Sequence, residues 1–307
     1  LSYVLFLFSG IDFEYINLFY VILISEHLSQ EIYRVLIILK KTIPATILLF
    51  IRSGFWIILL YFYWELGFVE PNINTLFVLW LLGTSFSIFF GFRFIPFKWV
   101  KGVDFYWIRR GLKIAFPFFI GAVLYKLIEF SARYFLEYYF STKEVGIFTF
   151  FSGIGNILFI FVQTIVFIEL GPRLIEIKNE SHDKFLKLLR EFKKQTIQYS
   201  IAGIVLSSIF IYPLLVFLDK AIFFENVLSY FIILASTMFY CFSYISHYAL
   251  FSYNRDWEIL MATVSGFVFN IVASFILIPK FGILGAAVSQ LIGFSMVFIG
   301  KSIYWSK

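Results

Sequence analysis

Residues 259–300 read ILMATVSGFVFNIVASFILIPKFGILGAAVSQLIGFSMVFIG. Within them, 259–279 and 281–300 hold no Asp, Glu, Lys or Arg, and Lys280 stands alone between the two runs. Each run has roughly the 20 residues that an α-helix needs to cross ~30 Å of hydrocarbon at 1.5 Å per residue. The break at 279–282 is a proline–lysine–aromatic–glycine turn: proline interrupts the helical hydrogen-bond ladder, and glycine accepts the backbone angles that reverse the chain.

The pattern repeats outward from this pair. Charge-free runs cover 71–92, 145–168, 196–218 and 226–253, and apolar runs with a few charges cover 15–36, 42–63 and 112–134. An apolar stretch at 1–11 is too short to cross. It starts with Leu1 and has no basic region before it, so it reads as a truncated helix, not a signal peptide. The expected fold is an all-α polytopic membrane protein with about nine full spans plus one partial span. Composition agrees. Of 307 residues, 61% are hydrophobic and only 14% are charged, against roughly a quarter charged in soluble domains. That leaves too little polar surface for a soluble fold and too much apolar content for disorder. One cysteine excludes a disulfide scaffold.

The positive charge is unevenly placed. Most of the 25 lysines and arginines fall in alternate connections: Arg34 to Lys41, Arg93 to Lys113, Arg173 to Lys194, Arg255, and the tail with Lys301 and Lys307. The other connections hold only Lys143, Lys220 and Lys280, with Arg133 at an edge. The positive-inside rule makes the first set cytoplasmic. The outward connections are all short, so no outward domain is expected to carry catalytic groups, and the chain is not expected to be an enzyme. Residues 93–111, with Pro96 and Gly102, read as a basic cytoplasmic linker. It would divide the remainder of an N-terminal bundle (1–92) from a six-helix bundle (112–307).

The stretch 181–195 is amphipathic, with Phe185, Leu188, Leu189 and Phe192 at helical spacing and lysines and Arg190 elsewhere. It is expected to lie on the cytoplasmic membrane surface, mainly as a topological anchor. No P-loop, GxGxxG, HExxH or Cys/His cluster is present, so no metal, cofactor or nucleic acid is expected. His247 reads as a packed neutral histidine. Gly153, Gly155, Gly282, Gly285, Ala286 and Ala287 read as positions of close helix approach.

Chemistry is expected at the intramembrane charges, because an ionisable group at the bilayer centre costs ~2.5–3.5 kcal/mol and normally faces protein or water. Lys126, Glu129, Arg133 and Glu137 share one helical face. They read either as a polar cavity lining or as a self-neutralising stripe. Arg52 stands at mid-span with no charge within four residues, so its partner must come from another helix or a ligand. Snorkelling accounts for Glu31 and Arg34, less well for Glu26, and poorly for Arg52.

Four passages carry a family resemblance: LISEHLSQEIYRVL with FIRSGFW (23–36, 50–56), PFFIGAVLYKLIEFSARYFLEYYFSTKEVGIF (117–148), ELGPRLIE (169–176) and IPKFGILGAAVSQLIGF (278–294). Through them most of the chain resembles the Wzx-type oligosaccharide flippases, of the same superfamily as the MATE exporters. The passage at 278–294 is shared across the superfamily, whereas that at 117–148 is more similar to the polysaccharide branch. The family often has an acidic residue just before Arg133. Here it is Ala132, with Glu129 one turn back.

The resemblance implies a MATE-like pair of six-helix bundles around a central cavity, with the first helices missing from this chain. It implies alternating-access transport of an undecaprenyl-diphosphate-linked oligosaccharide from inner to outer leaflet, for O-antigen, lipopolysaccharide or capsule biosynthesis, in the bacterial inner membrane. Lys126, Arg52 and Arg133 are then candidates to meet the diphosphate, with Glu129 and Glu26 beside them. Expected partners are the lipid-linked substrate, membrane lipids, and the polysaccharide polymerase and glycosyltransferases. The alternatives are a MATE-like cation-coupled exporter of small amphiphiles, a membrane glycan polymerase or ligase, and a non-transporting scaffold.

Overall fold

A computed structural model describes residues 15–39, 41–67, 72–96, 102, 104–178, 180–218 and 221–306. The partial span expected at 1–11 lies outside them, as do Lys40, Lys98, Lys101, Lys220 and Lys307. Every described element is helical. The helices are α1 (Ile16–Ile38), α2 (Thr42–Glu65), α3 (Ile73–Phe92), α4 (Phe105–Tyr139), α5 (Thr142–Lys178), α6 (His182–Leu218), the short α7 (Ala221–Glu225), α8 (Val227–Ser252) and α9 (Asp256–Ser306). Seven of them are long and apolar enough to cross a membrane: α2 to α6, α8 and α9. Helix α1 carries Glu26, Glu31 and Arg34 and stays outside that group.

Polar side chains set the starts of α3, α4 and α5. Asn72 accepts from the Thr75 amide at 2.7 Å, Asp104 from the Tyr106 and Trp107 amides at 3.0 and 3.3 Å, and Ser141 from the Lys143 amide at 3.2 Å. Each satisfies a donor that a helix leaves orphaned. The Asp104 cap moves the start of α4 well upstream: the connection expected over 93–111 is already helical from Phe105.

Helix α9 is a hairpin. Its one non-helical residue, Gly282, has φ 54° and ψ −127°, a region open to glycine and strained for other residues. The expected turn at 279–282 is therefore present. The two arms meet through small residues. A Cβ on Gly266 would stand 2.7 Å from the Gly293 carbonyl oxygen, and one on Gly293 would stand 2.8 Å from the Asn270 Cβ. Gly155 approaches Thr237 as expected, whereas a Cβ on Gly153 would meet nothing within 4 Å among the described residues.

The chain divides into two compact units, Leu1–Val103 and Asp104–Lys307. In the first, α1, α2 and α3 pack around Ile32, Leu36, Ala45 and Leu48. In the second, α8 packs on the α9 hairpin and on α5 and α6, while α4 lies along α9. Its core is aromatic: Phe167 stacks on Tyr244 at 4.7 Å and on Phe192 at 5.5 Å.

That packing shows what covers part of the apolar face of 181–195. The stretch is the first part of the 37-residue α6 and runs into the span without a break. Phe185 and Phe192 are fully buried against protein, Phe185 meeting Tyr253 and Trp305 and Phe192 meeting Tyr248. The apolar stripe has the right spacing, and at Phe185 and Phe192 protein core covers it.

Candidate functional site

In the first unit the isolated arginine finds its partner on another helix. Arg52 lies in α2 within Ile51–Phe55, a π-type turn where each backbone bond spans one extra residue. Such turns bulge a helix and often occur where a side chain is being aimed. Arg52 Nε stands 3.3 Å from Glu26 Oε1 on α1, and the two side chains are 12% and 32% exposed. The contact is Coulombic: the buried Nε and Nη1 of Arg52 make no hydrogen bond among the described residues. A guanidinium is never neutral, so these donors are an open demand for an acceptor.

An aromatic wall stands beside this pair. Trp80 Nε1 donates to Glu26 Oε2 at 3.4 Å, and Trp56 Nε1 donates to the Arg52 carbonyl at 2.8 Å. The two indoles stack at 5.5 Å and 8°. Gly83 makes room for Trp56, since a Cβ there would stand 2.9 Å from its ring. One turn deeper, the Ser29 and Ser87 hydroxyls are bonded at 2.6 Å. Sequence spacing pointed to Glu26 and Arg52. The two tryptophans were missed, because interfacial belts explain most Trp in such chains.

In the second unit the charged stripe of α4 separates into parts. Lys126 Nζ and Glu129 Oε2 pair at 2.7 Å, with side chains 66% and 23% exposed. Arg133 has no carboxylate within 4 Å, and its buried Nε has no hydrogen-bond partner among the described residues. Its guanidinium lies 4.2 Å over the Phe130 ring, and Lys126 approaches the same ring at 5.4 Å. Within ion-pair distance Glu129 meets Lys126. Glu137 is exposed.

Glu129 faces inward. It lines a small cavity of about 30 Å³ with Ser152 and Asn156 of α5, Thr237 and Tyr240 of α8, and Gln290 of α9. That is room for about one water molecule. Ser152 Oγ and Gln290 Oε1 are buried there without partners among the described residues. The wall is braced by a polar chain: the Ser131 hydroxyl donates to Asn270 Oδ1 at 2.9 Å, and Asn270 Nδ2 donates to the Ser289 carbonyl at 3.0 Å. Asn270, fully buried in the middle of a charge-free run, was a signal the sequence offered and spacing arguments passed over.

One cation lies elsewhere than expected. Lys301, counted with the cytoplasmic tail, is fully buried in α9. Its ammonium donates to the Tyr125 hydroxyl, lies 3.2 Å from His247 Nδ1, and approaches the Tyr125 and Tyr244 rings at 4.9 and 5.7 Å. No carboxylate lies within 4 Å of it among the described residues. His247, read as packed among aromatics, is packed but also faces this cation. The error came from taking the end of the apolar run at Gly300 as the end of the helix, which continues to Ser306.

Among the described residues no group of three His, Cys, Asp or Glu is placed to hold a metal. No protein-family model, curated protein or solved structure matches this chain.

Proposed function

We propose that the chain is a transporter that moves an anionic lipid-linked oligosaccharide, of the undecaprenyl-diphosphate type, from the inner to the outer leaflet by alternating access. The observation that carries this reading is Arg52: a mid-helix guanidinium, nearly buried in an apolar unit, with two donors unpaired and one carboxylate within 4 Å among the described residues. A diphosphate with sugars loses its water on entering hydrocarbon, which costs far more than the membrane can return. Fixed cations with free donors replace that water, and guanidinium can do so through two parallel bonds. Arg133 offers a second orphaned guanidinium in the other unit. The stacked Trp56–Trp80 pair gives an apolar face of the kind that packs on sugar rings.

The test is thermal stabilisation of the purified protein by ligands. A polyprenyl diphosphate should raise the melting temperature more than the corresponding polyprenyl alcohol, and Arg52→Ala should abolish the difference. Equal effects of diphosphate and alcohol would refute the reading.

A second reading, a cation-coupled exporter of small amphiphiles, draws on a different feature. The cavity at Glu129 presents a carboxylate and several neutral oxygens, a set suited to a small cation. It predicts that transport responds to a cation gradient and that Arg52→Lys is tolerated.

A further inference from the structure

Arg190 and Lys193 rim a groove of about 360 Å³ in the second unit that the transport reading does not use. They come from α6, one turn apart on its exposed side. The groove is walled by Leu189 of α6, Phe242 of α8, and Phe298 and Trp305 of α9. Phe242 and Phe298 meet edge to face at 6.2 Å and make one continuous apolar surface. Polar atoms deeper in the groove are already used, since Ser246 Oγ and Ser302 Oγ bond each other at 3.3 Å. Neither cation at the mouth has a carboxylate within 4 Å among the described residues, although Glu191 is next in sequence. Arg173, Lys184 and Arg255 are matched, by Glu169, Glu180 and Glu258, whereas Lys187 and Lys194 of the same helix share the lack of a carboxylate among the described residues but do not line the groove.

We infer that this groove binds one anionic phospholipid of the surrounding bilayer. The acyl chain would lie against Leu189, Phe242 and Phe298, and the headgroup phosphate would be held between Arg190 and Lys193. The charge pattern fits this occupant over others. Two unpaired cations over a carbon-lined slot suit a ligand that is anionic at one end and wholly apolar at the other. A zwitterionic lipid would bring its own cation against Arg190, and a peptide would bring backbone amides that the apolar wall leaves unsatisfied. The basic charge on this helix is drawn to anionic lipid. The groove converts that general attraction into a site. The inference is independent of the transported substrate.

The experiment is quenching of tryptophan emission by brominated lipids added to the purified full-length chain. Brominated phosphatidylglycerol should quench more than brominated phosphatidylcholine. That excess should vanish in the double variant Arg190→Gln/Lys193→Gln, and also in Trp305→Phe. It should survive in Lys187→Gln/Lys194→Gln, which removes the same charge from the same helix outside the groove. Equal quenching by the two lipids in the unaltered protein would overturn the inference. So would survival of the excess in Arg190→Gln/Lys193→Gln. Displacement of phosphatidylglycerol by an equimolar polyprenyl phosphate would also overturn it, reassigning the groove to a polyprenyl tail.

Discussion

Two arginines and one lysine distinguish this chain from an inert apolar bundle, and each is held differently. Arg52 has a carboxylate at 3.3 Å but unused donors. Removing one partner of a buried pair strands the other and costs ~3–5 kcal/mol, while removing both leaves no stranded charge. Glu26 is 32% exposed, so water relieves part of that cost. Arg52→Ala should therefore lose transport while keeping most of its membrane abundance, and Glu26→Gln/Arg52→Gln should be at least as abundant. Blotting of membranes checks abundance. If Arg52→Ala protein vanishes and the double variant returns it, the pair is structural. Lys301 is the contrasting case, fully buried with aromatic and imidazole neighbours and no carboxylate within reach among the described residues. Lys301→Met keeps the length of the side chain and removes the desolvation cost, so the melting temperature in detergent should hold or rise. A clear fall would mean that the cation itself holds α4, α8 and α9 together.

At the scale of elements, the hairpin of α9 and the inward face of α4 organise the second unit. Gly282 has φ 54°, so Gly282→Ala should cost ~1–3 kcal/mol through backbone strain alone. It should appear as a lower melting temperature, and an unchanged one would mean that the turn relaxes. On α4, Glu129 lines the cavity while Lys126 is 66% exposed. Glu129→Gln should then impair transport more than Lys126→Gln. The reverse order would restore Lys126 as the operative cation.

These elements also mark what the sequence could tell. Among the described residues, every apolar run from 15 onward lies in a helix. Hydrocarbon leaves the backbone no other partner and so writes helices into the sequence as uninterrupted apolar runs. The hairpin turn was equally plain, since proline and glycine announce it. What packs against what was not legible. Phe185 and Phe192 show helical spacing whether lipid or protein covers them. Lys301 has the same letter in a tail as in a core. Trp80 reaches Glu26 only because α3 lies along α1.

At the scale of the molecule, a membrane-embedded α-helical chain divides into two compact units, each with its own intramembrane cation lacking a full set of partners. The lysine and arginine asymmetry predicts the orientation of the spans. Cysteines at Glu180 and Glu225, flanking α6 and α7, should react with an impermeant maleimide from opposite sides of the membrane. Cys241, buried in α8, should stay silent. Labelling of both positions from one side would remove α6 from the set of spans. The central claim is the transported molecule, and deletion of the gene from the organism that encodes it tests that most directly. The expected result is loss of surface polysaccharide together with accumulation of the lipid-linked oligosaccharide, confined to the cytoplasmic leaflet. The unaltered gene should reverse both, and the Arg52→Ala gene neither. Unchanged surface polysaccharide, with no lipid-linked intermediate accumulating, would contradict it.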